Sequence, residues 1–162
     1  MKYVLTFLIL VFSVYAESVR FEFRQESINF RIQDRDYSLK SEDFQHVLDW
    51  SDDYTREEFG TGRKEGHFFI FKGALNNDRD IVFIYDLKSK KLDSVGNGGG
   101  VVVDDKLGWA ALQYDPKFAK QSGFTSIILN GDEVGRIDSS KISGLEWSHD
   151  SLRILIAPDL EK

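Results

Sequence analysis

Hydrophobic and polar residues alternate with a period of two along much of this chain. Residues 19–24 alternate between apolar and charged side chains, and residues 28–33 repeat the pattern. A period of two places all the apolar side chains on one face of a strand. The short stretch between the two runs can turn the chain back, so we expect an N-terminal hairpin within 17–37.

From His67 onward, short apolar runs follow one another at regular intervals. They predict strands over 68–72, 80–87, 92–95, 101–104, 109–114, 124–129, 133–137, 145–148 and 152–157. Between two of these strands, Asn130-Gly131 is a strong hairpin signal, because both residues tolerate the positive φ of a type I′ turn. The pattern predicts an all-β protein of antiparallel meanders, arranged as a propeller or alternatively as a β-sandwich or barrel.

The segment 38–66 departs from the alternation. Ser41 could cap a short helix with apolar residues at helical spacing, or residues 44–49 could form a further strand and bring the total to about twelve. Residues 52–66 are polar and contain three glycines, which indicates a long loop. We therefore expect a variable loop or short helix over 38–66, followed by a repeated β-meander over 67–162.

The first sixteen residues have the layout of a secretory signal peptide. Lys2 precedes an apolar run over 3–15, and Val14 and Ala16 occupy the positions that a signal peptidase reads before Glu17. The alternative is a membrane anchor, but thirteen helical residues span about 20 Å and a hydrocarbon core about 30 Å. The sequence thus predicts a secreted or periplasmic protein that leaves the membrane after cleavage, with one all-β domain over 17–162.

The amino-acid composition limits the kinds of molecule that the protein is expected to bind. The chain has a net charge of −6 and no cysteine, with 41% hydrophobic and 14% aromatic residues. This apolar content is enough for a packed core, and the missing cysteines exclude disulfides and thiolate metal sites. Because an acidic chain lacks the cationic surface that phosphate backbones require, nucleic acid is not an expected partner.

A tryptophan-serine-x-aspartate pattern occurs twice, at 50–53 and at 147–150, and Asp105 follows a strand between the two copies. The loose period of about 45–50 residues is in the range of propeller blades. Residues 143–157 resemble the blade repeat of TolB-type and dipeptidyl-peptidase-type β-propellers, and residues 80–95 resemble the last two strands of that repeat. The resemblance implies a propeller-like architecture in which Trp50 and Trp147 are equivalent buried residues, and it implies no activity.

The chain length fits about three blades of such a propeller, fewer than the four to eight of closed propellers. Unpaired strand edges recruit other strands, so we expect the N-terminal hairpin to pair with the C-terminal hairpin. This pairing could occur within one chain, or between two chains as a homodimer through the terminal β-hairpins.

Aromatic and acidic side chains near strand ends are the candidate binding residues. Carboxylates beside aromatic rings can bind sugars or cations, but the sequence predicts neither a metal site nor a cofactor. In 148–150, a Ser-His-Asp run, neighbouring side chains point in opposite directions, so it cannot form a catalytic triad. The candidate binding residues are Trp50, Asp52, Asp53, Tyr54, Asp105, His149 and Asp150.

The sequence thus predicts an exported, non-catalytic binding or interaction module for a protein or small-molecule ligand. One alternative is a small hydrolase or lyase that uses loop carboxylates such as Asp53, Asp105 and Asp150. Another is a truncated remnant of a propeller enzyme. Carboxylates can perform acid–base chemistry only when the fold holds them about 5–10 Å apart, so their placement separates these hypotheses.

Overall fold

The computed structural model describes residues 17–24, 27–32, 34–40, 42, 57–75, 79–114 and 123–157. These residues form an all-β protein of thirteen strands. The strands are β1 Glu17–Arg24, β2 Ser27–Ile32, β3 Arg35–Lys40, β4 Glu57–Glu65, β5 Phe68–Leu75, β6 Arg79–Asp86, β7 Leu92–Gly96, β8 Gly98–Asp104, β9 Gly108–Tyr114, β10 Phe124–Leu129, β11 Asp132–Asp138, β12 Ile142–Ser148 and β13 Ser151–Ile156. Within the described ranges, no helix is long and apolar enough to cross a bilayer.

Every strand pairing is antiparallel, and three sheets result. The first sheet has seven strands in the order β3-β2-β1-β4-β5-β6-β7. The second has four strands in the order β11-β10-β9-β8, and the third contains β12 and β13 alone. Nine of the twelve pairs of successive strands are therefore neighbours, which confirms the predicted antiparallel meanders.

Strand β4 divides its pairing between two neighbours at Gly62. Residues from Glu57 to Gly62 pair with β1, whereas those from Gly62 to Glu65 pair with β5. A Cβ atom at Gly62 would lie 2.6 Å from the Phe69 ring and 3.0 Å from Val19. Glycine in a strand commonly marks a bend or a close approach, and here it lets β1 lie close to the β5 side chains.

The first sheet folds over on itself, so that β1–β3 cover one face of β4–β7. The Phe30 ring on β2 lies 5.7 Å from Phe71 on β5 and 5.2 Å from Tyr85 on β6. In a flat sheet, β2 and β5 would be separated by three strand intervals, or about 14 Å. The ring contacts therefore require a strong bend between β1–β3 and β5–β6.

Apolar side chains on both faces of β5 and β6 explain their nearly continuous hydrophobic sequences. Alternate residues join two different cores, because successive side chains point to opposite faces. The first core packs β1–β3 against β4–β7, and it contains Val19, Ile28, Phe30, Ile32, Leu39, Phe69, Phe71, Ile81, Phe83, Tyr85 and Leu92. The second core packs β4–β7 against the second sheet, and it contains Phe68, Ile70, Val82, Ile84, Val95, Val101, Trp109, Ala111 and Ile128.

The second sheet is also covered on its other face. A third core packs β8–β10 against the β12–β13 hairpin through Ala110, Leu112, Ile127 and Leu145, with Trp147 and Leu152 partly buried beside them. The chain thus forms four successive layers, each packed face to face on the next. The two inner layers are four-stranded meanders that begin at Glu57 and Gly98, and the last layer has only two strands.

The structure differs from the sequence prediction between 34 and 66. The N-terminal hairpin continues into a third strand, β3, and part of the predicted loop is β4. Strand β4 has no regular apolar alternation, and in β3 the alternation is limited to Tyr37 and Leu39. Each is formed by its neighbours, since β3 pairs with β2 and β4 lies between β1 and β5. The predicted strand or helix over 44–49 lies outside the described residues.

The two ends of one chain do not pair with each other. Strand β1 lies between β2 and β4, and β12–β13 forms a separate two-stranded sheet. The prediction of pairing within one chain is therefore wrong, because β4 takes the edge that the C-terminal hairpin was expected to use. Trp147 is partly buried in the third core, with its indole Nε1 buried and without a hydrogen-bond partner, whereas Trp50 lies outside the described residues.

Candidate functional site

The structure places three of the seven predicted binding residues. Asp105 lies in the β8–β9 turn, and His149 and Asp150 form the β12–β13 turn. The other four fall outside the described part of the chain, namely Trp50, Asp52, Asp53 and Tyr54. Among the described residues, Asp105 forms no hydrogen bond or ion pair with His149 or Asp150, and its contacts are made to His67.

Asp105 instead contacts a histidine that the sequence did not single out. Its Oδ1 lies 2.7 Å from Nδ1 of His67 and accepts a 3.1 Å hydrogen bond from the His67 backbone N–H. His67 stands between β4 and β5 in the first sheet, whereas Asp105 belongs to the second. The pair therefore joins the turns of two neighbouring layers.

Gly66 allows this close approach. Its φ is +56°, and a Cβ atom there would lie 2.1 Å from Oδ1 of Asp105. A side chain at position 66 would thus be strained by the backbone and would also collide with the carboxylate. Glycine is required at this turn so that Asp105 can reach the ring and the N–H of His67.

A second carboxylate approaches the other side of the His67 ring. Nε2 of His67 lies 3.8 Å from Oδ1 of Asp86, in the β6–β7 turn, which is beyond hydrogen-bond distance. Asp86 is engaged locally, since it accepts a 2.8 Å bond from the Lys88 N–H and a 2.7 Å bond from the Ser89 hydroxyl. We call His67, Asp86 and Asp105 the turn cluster.

The carboxylates of this region are held in the ionised form. Hydrogen bonds from the His67 ring and backbone N–H lower the pKa of Asp105. At Asp86, burial raises the pKa, but hydrogen bonds from Ser89 and Lys88 together outweigh it and leave a lowered pKa. The pKa of Asp104 is lowered by the backbone N–H groups of Lys106 and Leu107. None of these carboxyls can donate a proton near neutral pH, so none is suited to be a general acid.

The turn cluster also lacks the parts of a nucleophilic site. An aspartate at Nδ1 of a histidine is the orienting half of a catalytic triad, which needs a hydroxyl or thiol at Nε2. Here Nε2 faces Asp86, and the nearby Ser89 hydroxyl donates to that carboxylate instead. Among the described residues, no group of three or more potential ligands could hold a metal ion. The cluster is therefore best understood as a connection between turns.

A further connection at the turns comes from Asn130. Asn130 and Gly131 have φ values of +52° and +100°, which confirms the predicted type I′ turn. The Asn130 side chain accepts a 2.8 Å bond from the Trp109 N–H and donates a 3.0 Å bond to the Leu107 carbonyl. The sequence indicated the turn, but it gave no signal for these contacts more than twenty residues away.

We expect the stability that the turn cluster adds to be fully present above about pH 4 and to be lost progressively below it. Because the pKa of Asp105 is lower in the folded protein, folding favours the ionised carboxylate, and this contribution disappears as acid protonates the group. Asp105→Asn should therefore unfold at a lower urea concentration than the wild type at pH 7, and the difference between the two should be smaller at pH 3.

Asp150→Asn is the matched control for this prediction, since Asp150 is an exposed turn aspartate that forms no hydrogen bond or ion pair with the residues that the structure describes. Its urea midpoint should follow that of the wild type at both pH values. A difference between Asp105→Asn and wild type that is equally large at pH 3 and pH 7 would show that ionisation of Asp105 does not stabilise the fold.

The last strand presents a different kind of surface. Four of its six residues are aliphatic, and three of these are strongly exposed: Ile154 at 40%, Leu155 at 39% and Ile156 at 56%. Among the described strands, β13 pairs only with β12, so its other edge has no neighbour among them, and we call it the open edge. Exposed apolar residues along an open edge are unusual in soluble proteins, because such an edge attracts further strands.

The backbone of β13 also presents hydrogen-bonding groups at this open edge. Just after the strand, the Ala157 N–H donates a 2.8 Å bond to the Lys141 carbonyl, in the direction of β12. Backbone N–H groups alternate in direction along a strand. The N–H groups of Leu152, Ile154 and Ile156 therefore point away from β12, toward the open edge.

Two other sheet edges carry charge or an irregularity. Strand β3 carries Arg35, Asp36 and Lys40, and the β10–β11 pairing shifts register next to Glu133. Charged side chains and bulges of this kind prevent pairing between molecules. By contrast, β13 has one charged residue, Arg153, and a regular register with β12 from Gly144 to Ser148.

Comparisons with protein family models, with curated proteins and with solved structures found no match for the chain. The resemblance of 143–157 and 80–95 to propeller blade repeats thus stays a prediction.

Proposed function

We propose that this protein is an exported, non-catalytic binding module of propeller-like design, and that it binds its partner at the open edge of β13. The exposed aliphatic side chains on β13 are the observation that carries the proposal. The signal-like leader supports export. The successive face-to-face layers, of which the last is only half as wide as the two before it, support a propeller-like design.

The binding mode that suits this edge is the addition of a strand. A partner segment in extended conformation would hydrogen-bond to the outward N–H and C=O groups of β13, and its alternate side chains would cover Ile154 and Ile156. The added strand would give the third sheet three strands, which is closer to the four strands of the second sheet. The alternative function as a hydrolase gains no support from Asp86, Asp104 or Asp105, because hydrogen bonds in turns lower the pKa of each and keep each carboxyl ionised.

Selection from a phage-displayed library of random heptapeptides on the immobilised protein tests this function. We expect the selected peptides to alternate between apolar and polar residues and to lose binding to Ile154→Lys, which places a charge in the centre of the edge. Val134→Lys is the matched control, because Val134 is 55% exposed on another edge strand, β11. It should leave binding unchanged.

Circular dichroism and urea denaturation of both variants establish that they remain folded. Peptides that bind the wild type and both variants equally would show that β13 is not the binding edge. A selection that enriches no peptide with measurable affinity would likewise contradict the proposal.

A further inference from the structure

We propose that the natural partner of β13 is an extended segment of another protein that alternates apolar residues with an acidic residue placed opposite Arg153. This inference rests on the proposed function and adds the chemistry of the partner. One face of β13 is apolar, whereas the other carries Arg153 beside the exposed Leu155, and the charge of Arg153 determines which strand fits beside the edge.

The side chains of β13 divide between the two faces of the third sheet. Leu152 and Ile154 stand opposite Trp147 and Leu145 of β12, on the face that packs against the second sheet. The outer face carries Arg153, which stands opposite Glu146. A strand added to β13 must therefore present apolar residues toward the second sheet and polar residues at the position opposite Arg153.

The guanidinium of Arg153 has N–H donors that can bind a further carboxylate. The Arg153 side chain is 61% exposed, and its one ion pair among the described residues, to Glu146, has an Nη1–Oε1 distance of 3.6 Å. A guanidinium has five N–H donors in a planar fork that fits a carboxylate. An acidic residue on the added strand would complete a row of alternating charge across three strands, in the order Glu146, Arg153 and partner carboxylate.

Charge also argues against a second copy of this chain at the edge. Paired with another β13, the strand would meet no carboxylate, because Arg153 is the charged residue of that strand. The other terminal edge strand, β3, offers Asp36, but Arg31 already holds both oxygens of that carboxylate at 2.7 and 2.9 Å. A strand of another protein that carries an unpaired acidic residue therefore complements the charge of Arg153 better than a second β13 or a β3 strand does.

Two labelled peptides serve as probes of this inference. The acidic probe is acetyl-Lys-Val-Thr-Ile-Glu-Val-Thr-amide, which in antiparallel register places Ile opposite Ile154, Val opposite Leu152 and Ile156, and Glu opposite Arg153. The basic probe has Lys in place of Glu and is otherwise identical. Their affinities are measured by fluorescence anisotropy with the full chain.

We expect the acidic probe to bind the wild type about three- to tenfold more tightly than the basic probe, because cross-strand pairs of opposite charge stabilise and like pairs destabilise. Arg153→Glu should reverse this preference. Such a reversal cannot come from a general loss of folding, since the variant must then bind the basic probe better than the wild type does.

The outcomes separate this inference from the proposed function. The wild type and Arg153→Glu could each bind the two probes equally, while Ile154→Lys binds neither. That result would contradict the inference of an acidic partner, and it would still support strand addition at β13. Failure of both probes to bind, together with an unproductive heptapeptide selection, would overturn both proposals. A dimer in sedimentation equilibrium that Ile154→Lys dissociates would identify a second copy as the occupant and overturn the foreign acidic partner.

Discussion

Phe30→Ala is expected to lower the free energy of unfolding by about 3–5 kcal/mol, the usual cost of deleting a buried aromatic side chain. Phe30 is 3% exposed and is in contact with Tyr37, Phe71 and Tyr85. Its removal would leave a cavity between β1–β3 and β4–β7, where three other rings lose contacts. Urea denaturation followed by tryptophan fluorescence measures the change.

Arg31→Ala is the control on the same strand. Arg31 is an exposed residue that forms a surface ion pair with Asp36, and such pairs contribute about 0–1 kcal/mol. If Phe30→Ala were no more destabilising than Arg31→Ala, the N-terminal strands would be an appendage, and the folded-over first sheet would be wrong.

Trp109→Ala should have an effect of similar size, about 3–5 kcal/mol, at the second interface between layers. Trp109 is 3% exposed and belongs to the core that joins β4–β7 to the second sheet. The indole fills space between the two sheets, and neighbouring Ala111 is too small to replace it. The transition should also stay cooperative, because the layers share cores on both faces.

Phe124→Ala provides the comparison for an aromatic residue outside the cores. Phe124 is 64% exposed at the start of β10, so its removal should change the free energy of unfolding by no more than about 0.5 kcal/mol. A Trp109→Ala protein as stable as Phe124→Ala would mean that the first and second sheets do not pack through this residue.

Much of the strand content could be predicted from local pattern, for a physical reason. Strands buried on one face, such as β2, alternate between apolar and polar residues, and strands buried on both faces, such as β6, form continuous apolar runs. Both patterns reflect the number of cores that a strand contacts. The Asn130-Gly131 turn was equally local, because it depends on the φ preferences of two residues.

Strands β3 and β4 could not be predicted in this way. Strand β4 contains two glycines and several charged residues, and its pairing partners β1 and β5 supply what its own sequence lacks. Gly62 is conspicuous in the sequence as a loop signal, yet its role is to let Val19 and the Phe69 ring approach the backbone. Such a role depends on tertiary packing and leaves no periodic signal.

The turn cluster and the β13 edge were missed for related reasons. His67 and Asp105 are 38 residues apart and belong to different sheets, so only the stacking of layers brings their turns together. The β13 sequence does predict a strand. Its apolar residues predict burial, however, and only the sheet order reveals that they remain exposed beside an open edge.

Amide hydrogen exchange along β13, measured by NMR with and without the acidic probe, is the most direct test of strand addition. The account predicts that bound probe slows exchange at least tenfold at Leu152, Ile154 and Ile156, whose N–H groups point to the open edge. The amides of Arg153 and Leu155 point to β12 and should change little. Unchanged exchange at the three outward amides under saturating probe, or protection centred on another strand, would contradict the claim that β13 is the binding edge.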